Sequence, residues 1–245
     1  MKIIVKKFGG TSLANIDRIN RAISYIKNTT KKGYKVVVVV SAMGKETDRL
    51  LQLTDKLDEY TKSDDVSALL SAGEQISSSL FSIILNKKNI KSSSYQGWQL
   101  PIKTNDYAYN AYIKNINIKS IKNILKEGII PIVSGFQGIN NKNRITTLGR
   151  GGSDTTAVAL AAMLKAERCD IYTDVDGVFS ADPRIVKEAK KIDKINYEEM
   201  LELSSLGAKV LHTRSVQLAL KYNVNLQVLS SFTGKKGTML IKESE

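Results

Sequence analysis

Residues 2–26 read KIIVKKFGGTSLANIDRINRAISYI, and this stretch decides the class of fold. Residues 2–6 form a short apolar run that leads into Gly9 and Gly10. Beyond the glycines, isoleucines recur at helical spacing, at positions 16, 19, 23 and 26. A strand, a glycine turn and a helix in this order predict the opening unit of an α/β fold.

Other segments repeat this pattern along the chain. Five consecutive valines at positions 36–40 are typical of a parallel strand that is covered on both faces. Residues 129–133 and 170–173 also predict short buried strands, each beside a helical segment. We therefore predict an α/β fold. Further strands are predicted at residues 226–229 and 238–241, and helices at residues 47–60, 65–85, 113–127, 154–165, 197–206 and 214–222.

The chain is predicted to form a single domain over residues 1–245, because it contains no internal repeat and no long linker. Residues 89–112 show no clear period, since their aromatic side chains sit among polar ones. A boundary between two closely packed lobes is placed near residues 139–143, which read INNKN.

Composition excludes several classes of function. A single cysteine, Cys169, and a single histidine, His212, nearly exclude a disulfide framework, a zinc site and a serine hydrolase triad. The first ten residues hold an apolar run too short for a signal peptide. No stretch approaches the roughly 18 to 20 apolar residues of a membrane span. We therefore expect a soluble, cytoplasmic protein without a membrane partner.

The charge balance favours an anionic partner or a biased composition. Lysine and arginine outnumber aspartate and glutamate by 37 to 24, which gives a formal net charge of +13. Such a charge fits nucleic acid, a phosphorylated metabolite, or simply a chain rich in Lys, Asn and Ile. The lysines occur as scattered pairs and not in one block, which favours the compositional explanation.

The first motif that indicates chemistry is the stretch 7–12, KFGGTS. Two glycines directly after a strand let backbone N–H groups approach a ligand and form an anion-binding concavity. Lys7 stands where its ammonium can reach phosphate oxygens. A structural tight turn with a solvated lysine explains the motif equally well.

The strongest motif is TLGRGGSD at residues 147–154, followed by a helix of small and apolar residues. Three glycines before a Ser-Asp helix start bring free N–H groups, an N-cap side chain and the Arg150 guanidinium into one small volume. A dinucleotide fingerprint fails because Asp154 occupies its third glycine position. A phosphate or carboxylate site is therefore favoured over a plain glycine turn.

The third motif is YTDVDGV at residues 172–178, followed by Asp182, Pro183 and Arg184. It lies at the carboxyl end of a predicted buried strand, where ligands bind in open α/β sheets. Its carboxylates can hold ribose hydroxyls or the water shell of Mg²⁺, although Asp-Gly pairs also form ordinary turns.

Three further motifs are weak when each is taken alone. Ser41 follows the valine strand, which is a favourable position for a ligand-binding residue. Gly73 and Glu74 lie in a predicted helix, where a glutamate is ordinarily exposed. Lys209 follows a glycine-alanine pair, and a lysine in that position is usually solvated. His212 is the only histidine, and a lone histidine usually has a structural role.

Together, the motifs occur in the order found in aspartate kinases. They lie at residues 7–12, 41–48, 73–74, 147–154, 172–184 and 206–209. The chain therefore resembles, over nearly its whole length, an aspartate kinase catalytic domain of the amino acid kinase family. The resemblance implies a central, mostly parallel sheet sandwiched by helices in three layers. It also implies an acceptor lobe at residues 1–139, which includes residues 89–112, and a nucleotide lobe at residues 140–245.

The resemblance further implies phosphoryl transfer from MgATP to the side-chain carboxylate of L-aspartate, with no protein side chain as a direct metal ligand. Lys7 is implied to stabilise the moving phosphoryl group and Asp154 to organise the cationic centre. The residues implied to hold ATP are Lys7, Phe8, Gly9, Gly10, Thr173, Asp174, Phe179, Arg184, Lys209 and Val210. The residues implied to receive aspartate are Ser41, Thr47, Glu74, Arg150, Gly151, Gly152 and Ser153.

The chain departs from the family pattern at three places. Gln75 stands where arginine is usual, and Thr213 stands where many members have proline. Family members usually continue past residue 238 into paired ACT domains, whereas this chain ends at residue 245. We therefore expect no ACT domain and no intrinsic feedback inhibition by lysine. The protein partners left open are a second copy of the chain, as a homodimer, and a separate regulatory subunit.

Other functions stay open at this point. Acetylglutamate, glutamate 5-, carbamate and uridylate kinases share the glycine loops, and the motifs at residues 41–47 and 73–74 favour aspartate over their acceptors. A catalytically silent regulatory paralogue is disfavoured by the intact Lys7, Asp154 and Lys209. A basic RNA-binding module is disfavoured because aromatic and basic residues do not interleave in a stacking motif.

Overall fold

The computed structural model describes residues 1–54, 63–183, 185–208 and 210–242. Its strands are β1 (Ile3–Phe8), β2 (Lys35–Val40), β3 (Ser92–Tyr95), β4 (Ile102–Thr104), β5 (Ile113–Ile116), β6 (Ile130–Ser134), β7 (Gln137–Ile139), β8 (Ile145–Thr147), β9 (Arg168–Thr173), β10 (Val178–Phe179), β11 (Lys191–Ile192), β12 (Lys194–Asn196), β13 (Leu226–Ser230) and β14 (Thr238–Ile241). Its helices are α1 (Ile16–Lys31), α2 (Glu46–Gln52), α3 (Asp64–Lys87), α4 (Ile118–Lys126), α5 (Gly152–Leu164), α6 (Tyr197–Ser205) and α7 (Thr213–Tyr222), with a short 3-10 helix at Thr11–Leu13.

Eight strands form a central sheet in the order β12-β14-β13-β9-β1-β2-β6-β3. Its neighbouring pairs are parallel, except that β13 and β14 run antiparallel. A second sheet has the order β5-β4-β7-β8, and β10 pairs with β11. The predicted α/β fold with a mostly parallel central sheet is therefore confirmed.

The valine strand lies inside the molecule, as predicted. Successive side chains of a strand point to opposite faces of the sheet. The valines at positions 37 and 39 join a hydrophobic cluster built around α5, and those at positions 36, 38 and 40 join a second cluster built with α1 and α3. The sheet is thus covered by helices on both faces, which gives the three layers that the resemblance implied.

Two helices on opposite faces show how local sequence sets the layers. Asn15 begins α1 because its side chain accepts a hydrogen bond from the Arg18 N–H, and the isoleucines at positions 19, 23 and 26 face the sheet. α5 is rich in alanine and other small residues and is buried almost all round. A helix of this composition packs closely against a sheet.

Two predicted boundaries differ from the structure. The helix predicted at residues 113–127 is wrong in its first part, since residues 113–116 form β5 and pair with β4, and α4 begins only after Asn117 caps it. Ile113 and Ile116 are three residues apart, the spacing of one helix face, so the local pattern favoured a helix. The helix predicted at residues 47–60 is α2, which ends at Gln52, so the prediction is wrong for residues 53 and 54, which form a turn. Its predicted residues 55–60 lie outside the described residues.

The segments without a clear prediction also belong to sheets. Residues 89–112 contribute β3 to the edge of the central sheet and β4 to the second sheet. The lobe boundary placed at residues 139–143 falls in the turn between β7 and β8, which pair antiparallel. β3 pairs with β6 and β4 pairs with β7, which are distant in sequence, and such pairing has no local period.

One helix corrects the expectation about membrane spans. α3 has the length and composition of a span, because an 18-residue window within it has a mean hydropathy of 1.3. Half of that window is buried inside the protein, and the core helix of a soluble protein meets the same criterion. Leu70, Phe81 and Leu85 of α3 are packed in the hydrophobic clusters.

A buried ion pair joins β1 to β9. Lys6 Nζ donates to Asp170 Oδ2 at 2.7 Å and to the Tyr172 hydroxyl at 3.0 Å, and Arg168 Nε donates to Asp170 Oδ1 at 2.5 Å. Lys6 and Asp170 are 2% and 1% exposed. Desolvation lowers the pKa of Lys6, and the charge of Asp170 opposes that change. Each of these two buried charges is therefore stabilised by the presence of the other.

Replacing one partner should leave an uncompensated buried charge. We expect Asp170→Asn to lower the free energy of unfolding by about 3 to 5 kcal/mol, measured by urea denaturation. Asp193→Asn is the matched control, because Asp193 pairs with Lys191 at the surface and such pairs contribute about 1 kcal/mol or less. Equal effects of the two substitutions would contradict the prediction.

Candidate functional site

The parallel strands of the central sheet end together at one edge, and polar or small residues follow β1, β2, β6, β9 and β13. Gly9 follows β1, Ser41 follows β2, Gly135 follows β6, Asp174 follows β9 and Ser231 follows β13. Ligands of open α/β sheets bind outside such carboxyl ends. This edge is therefore the candidate site.

A buried ion pair lies at the centre of this edge. Lys7, at the end of β1, is 9% exposed, and Asp154, in the first turn of α5, is 8% exposed. Lys7 Nζ lies 2.7 Å from Asp154 Oδ1, but this oxygen accepts no well-aligned hydrogen bond from the described residues. The pair thus places a cation and a carboxylate together at the strand ends, largely shielded from solvent.

The glycine turn after β1 brings backbone close to the ion pair. The Gly9 N–H donates to the Tyr172 carbonyl at 3.2 Å, and a Cβ built on Gly9 would lie 3.5 Å from Lys7 Nζ. A Cβ built on Gly10 would lie 2.8 Å from the Ala42 carbonyl oxygen. Gly10 is therefore required for close approach of the Ala42 backbone, whereas a Cβ on Gly9 would make only ordinary van der Waals contacts.

Phe8 contributes to the core rather than to the edge. Its side chain is fully buried, and its ring stacks on Tyr172 at 4.7 Å and on Phe81 at 5.9 Å between centroids. Its carbonyl accepts a hydrogen bond from the Ser41 N–H at 3.1 Å. Any contact between Phe8 and a nucleotide would therefore involve its backbone.

The glycine-rich loop before α5 is enclosed by side chains. α5 starts at Gly152, two residues earlier than predicted, and its N-cap is Gly151 in the left-handed region (φ +69°) without a side-chain cap. A Cβ built on Gly151 would lie 2.4 Å from the His212 side chain, and one on Gly152 would lie 2.8 Å from the Phe136 ring. The glycines thus allow His212 and Phe136 to hold the loop in place.

The acceptor residues implied by the resemblance differ in how far they are buried. Ser153 is buried, and its Oγ occupies the space that a Cβ on Gly135 would need. Arg150 is exposed, whereas Thr47, near the start of α2, is half-buried. Ser41 is half-buried, and its carbonyl accepts a hydrogen bond from Ser77 Oγ at 2.8 Å.

Glu74 is a buried carboxyl group with one oxygen unpaired. It is 3% exposed, Oε1 accepts a hydrogen bond from the Ala42 N–H at 3.0 Å, and Oε2 has no partner among the described residues. Burial raises the pKa of Glu74 to about 8, against the opposing effects of backbone hydrogen bonds and of the Lys7 charge. The glutamate is therefore not an ordinary exposed helix residue, and it suits a cationic ligand group.

Of the residues implied on the nucleotide side, the described ones beyond β1 lie between the end of β9 and the start of α7. Thr173 Oγ1 donates to Asp174 Oδ1 at 3.1 Å, and Asp174 is exposed. Phe179 in β10 is half-buried, and Val210 is half-buried against the core. Arg184 and Lys209 lie outside the described residues.

Gln75 and Thr213, the two residues that depart from the family pattern, both fit the local structure of their helices. Gln75 Nε2 donates to Ser71 Oγ at 3.0 Å, one turn earlier in α3. Thr213 is the first residue of α7, the position at which proline is favoured because no N–H bond is lost there. Threonine in place of proline therefore keeps the start of this helix.

The structure also brings residues to the site that the motifs did not identify. Ser231 Oγ donates to the Thr173 carbonyl at 3.0 Å, and Ser12 Oγ donates to Ser231 Oγ at 2.8 Å. Asn110 fills the space beside Gly149, and Phe136 packs on Gly152. Ser231 and Phe136 follow predicted strands, so their position after a strand end was the available signal.

A substitution at Gly151 can separate the steric effect of His212 from the cost of a left-handed backbone. We expect Gly151→Ala to lower the free energy of unfolding by more than the about 1 to 2 kcal/mol that a left-handed backbone costs. The matched control is Gly33→Ala, because Gly33 has φ +84° but its Cβ would meet nothing within 4 Å. Chemical denaturation of both variants measures the difference, and equal losses would exclude a steric contribution from His212.

The raised pKa of Glu74 predicts a pH-dependent stability. Between its usual pKa and about 8, the folded chain binds more protons than the unfolded chain, so this group makes the wild type less stable as pH rises. Glu74→Gln replaces the titrating carboxyl group with an amide that does not titrate. We expect the free energy of unfolding of Glu74→Gln, relative to that of the wild type, to increase by on the order of a few kcal/mol from pH 5 to pH 8 and then to level off. Thermal denaturation across pH measures it, with the exposed Glu127→Gln as control; a constant difference would contradict the prediction.

Comparisons with known proteins agree with this geometry. A sequence profile described as the Amino acid kinase family matches residues 2–230. The chain is 53% identical to an aspartokinase of Geobacillus stearothermophilus over 99% of its own length and 60% of that protein. It is 46% identical to an aspartokinase of Rickettsia bellii over 100% of its own length and 61% of that protein. The chain thus spans about 60% of the length of these relatives.

Solved structures show the same fold. Aspartate kinase from Synechocystis superposes with a TM-score of 0.86 at 44% identity, over 98% of this chain and 40% of that one. E. coli aspartokinase III in complex with aspartate and ADP superposes with a TM-score of 0.85 at 31% identity, over 100% of this chain and 65% of that one. From the profile match, the sheet topology and these superpositions, it follows that the chain belongs to the amino acid kinase family.

Proposed function

We propose that the chain transfers the γ-phosphoryl group of MgATP to the side-chain carboxylate of L-aspartate, giving 4-phospho-L-aspartate and ADP. This is the first step towards lysine, threonine and methionine. The observation that carries the proposal is the buried pair of Lys7 and Asp154, set between the Gly9-Gly10 turn and the first turn of α5. The relatives named aspartokinase support aspartate as the acceptor.

The nucleotide is assigned to the side of β1 that faces β9. The Gly9 N–H donates to the Tyr172 carbonyl, so the Gly10 N–H is the one proposed to face phosphate oxygens, and Lys7 adds a positive charge beside it. Thr173 ends β9, and Asp174 and Phe179 come after it. These three residues, Arg184 and Val210 are assigned to surround the nucleotide, and Lys209 is assigned to the ATP phosphates. E. coli aspartokinase III, whose fold this chain shares, was solved with ADP and aspartate, which supports a joint site for both ligands.

The acceptor is assigned to the side of β1 that faces β2 and β6. Glu74 Oε2 is buried and has no hydrogen-bond partner in the part of the chain that the structure describes, so it suits the ammonium group of aspartate. Arg150, beside Ser153 and the glycine N–H groups, suits a carboxylate. Ser41 and Thr47 lie after β2 and complete the acceptor pocket.

The proposed reaction needs charge stabilisation and positioning more than covalent help. A carboxylate oxygen of aspartate bonds to the γ-phosphorus while the bond from that phosphorus to the bridging oxygen breaks, and ADP leaves with the electron pair. A carboxylate is already ionised at neutral pH, so no general base is required. Asp154 instead holds the Lys7 ammonium, which faces the negative charge of the transferred group.

Magnesium is proposed to enter with the nucleotide. Among the described residues, no three His, Cys, Asp or Glu side chains form a cluster. Magnesium is commonly held by one or two carboxylates together with substrate phosphates and water. In this proposal no protein side chain is a direct metal ligand: the exposed carboxylate of Asp174 would hold the water shell of the ion, which would neutralise phosphate charge.

The proposal extends to partners and location. ATP and L-aspartate are its small-molecule substrates, and the biosynthetic role places the protein in the cytoplasm. A homodimer and a separate regulatory subunit belong to the same proposal, and size-exclusion chromatography with light scattering distinguishes a dimer from a monomer.

The first test is ADP release from MgATP with separate acceptors: L-aspartate, L-glutamate, N-acetylglutamate, carbamate and UMP. We expect turnover with aspartate, and a loss of about 10²- to 10³-fold or more in kcat for Lys7→Ala and Asp154→Asn, because each removes part of the preorganised charge. Lys2→Ala is the matched control, since Lys2 lies at the surface just before β1.

Each other outcome has a definite meaning. Turnover with a different acceptor would keep phosphoryl transfer and overturn aspartate as the substrate. Turnover that Lys7→Ala leaves intact would overturn the role of the ion pair. An absence of turnover with all five acceptors would overturn the proposed activity for this chain by itself.

A further inference from the structure

Arg214, in the first turn of α7, binds two loops at once. Its Nη1 donates to the Leu148 carbonyl at 2.6 Å and to the Ala111 carbonyl at 3.1 Å, and its Nη2 donates to the Asn110 carbonyl at 3.2 Å. The Leu148 carbonyl lies in one segment, and the Ala111 and Asn110 carbonyls lie in another that is far from it in sequence. One side chain therefore links α7 to both.

The first segment that Arg214 contacts leads directly into the glycine-rich loop. Leu148 is fully buried and is followed by Gly149, Arg150 and Gly151. Because Gly149 and Gly151 both have positive φ, the loop depends on outside contacts for its shape. Arg214 fixes one end of it, and His212, two residues earlier, packs against Gly151.

The second segment, residues 105–112, is tied to the same loop by independent contacts. The Ala111 N–H donates to the Thr147 carbonyl at 2.9 Å, and the Thr147 N–H donates to the Ala108 carbonyl at 2.9 Å. Asn110 packs so closely on Gly149 that its Oδ1 would lie 1.6 Å from a Cβ built there. Segment 105–112 and the glycine-rich loop thus form one continuous wall.

The guanidinium is held on its other side by an aromatic ring. Its Cζ lies 4.3 Å from the ring centroid of Tyr112, whose side chain is 59% exposed. Stacking of this kind and a planar fork of donors are properties of arginine that lysine lacks. Arginine is therefore the residue type that these contacts require.

We propose that Arg214 is a positioning residue that holds the glycine-rich loop and segment 105–112 together as one wall of the acceptor pocket. This inference rests on the proposed function, in which Arg150 and Ser153 receive aspartate. Loss of the clamp displaces these groups while Lys7 and the Gly9-Gly10 turn stay in place, and small displacements of positioning groups cost large factors in rate. The first effect is therefore a weaker binding of the acceptor.

The test compares Arg214→Lys, which keeps the charge but not the fork, with Tyr112→Leu, which removes only the stacking ring. We expect Arg214→Lys to raise KM for aspartate by about tenfold or more, with KM for MgATP within about twofold of the wild type. Tyr112→Leu should shift KM in the same direction by less. Lys221→Gln is the matched control, because Lys221 is an exposed basic residue in the last turn of the same helix.

A second readout does not depend on activity. In hydrogen–deuterium exchange followed by mass spectrometry, Arg214→Lys should speed exchange of amides in residues 105–112 and 148–152, and leave those of β1 and β2 unchanged. If Arg214→Lys fails to fold, Tyr112→Leu carries both measurements.

Two results would overturn the inference. One is a wild-type KM for aspartate together with wild-type exchange in both segments. The other is an equal rise of both KM values with faster exchange throughout the sheet, since that means general destabilisation. If the wild type shows no aspartate-dependent turnover, the proposed function fails, and exchange alone decides whether Arg214 joins the two segments.

Discussion

The structure depends on a buried ion pair between Lys7 and Asp154. Lys7 ends the strand β1, and Asp154 lies in the first turn of α5, yet their charged groups are 2.7 Å apart and nearly shielded from water. A buried charge without a partner is strongly destabilising, so β1 and α5 must pack in one relative position. The small residues of α5 allow that close packing, and the site is built around the pair that results.

β1 carries opposite roles on its two faces. Lys7 points towards α5 and the candidate site, whereas Lys6 points the other way, into a network with Asp170 and Tyr172. The network behind the strand joins β1 to β9, and the Tyr172 carbonyl also receives the Gly9 N–H. The position of the glycine turn therefore depends on contacts on the far side of the sheet.

Glycines in the site work by making room for particular neighbours. Gly151 accommodates His212, Gly149 accommodates Asn110, and Gly135 accommodates Ser153. Each contact joins the glycine-rich loop or the first turn of α5 to a different part of the chain. The loop is consequently held from several sides, which suits a reaction that depends on positioning.

The sequence by itself determined the class of fold, the buried valine strand and the motifs at the strand ends, because these depend on local periodicity and on glycine chemistry. The family resemblance added the pairing of roles between Lys7 and Asp154. Only the tertiary structure decided that Glu74 is buried with a raised pKa, that residues 113–116 form a strand, and that Arg214 reaches Leu148 and Asn110. Desolvation, strand pairing and contacts between distant segments leave no local pattern, so no reading of neighbouring residues reveals them.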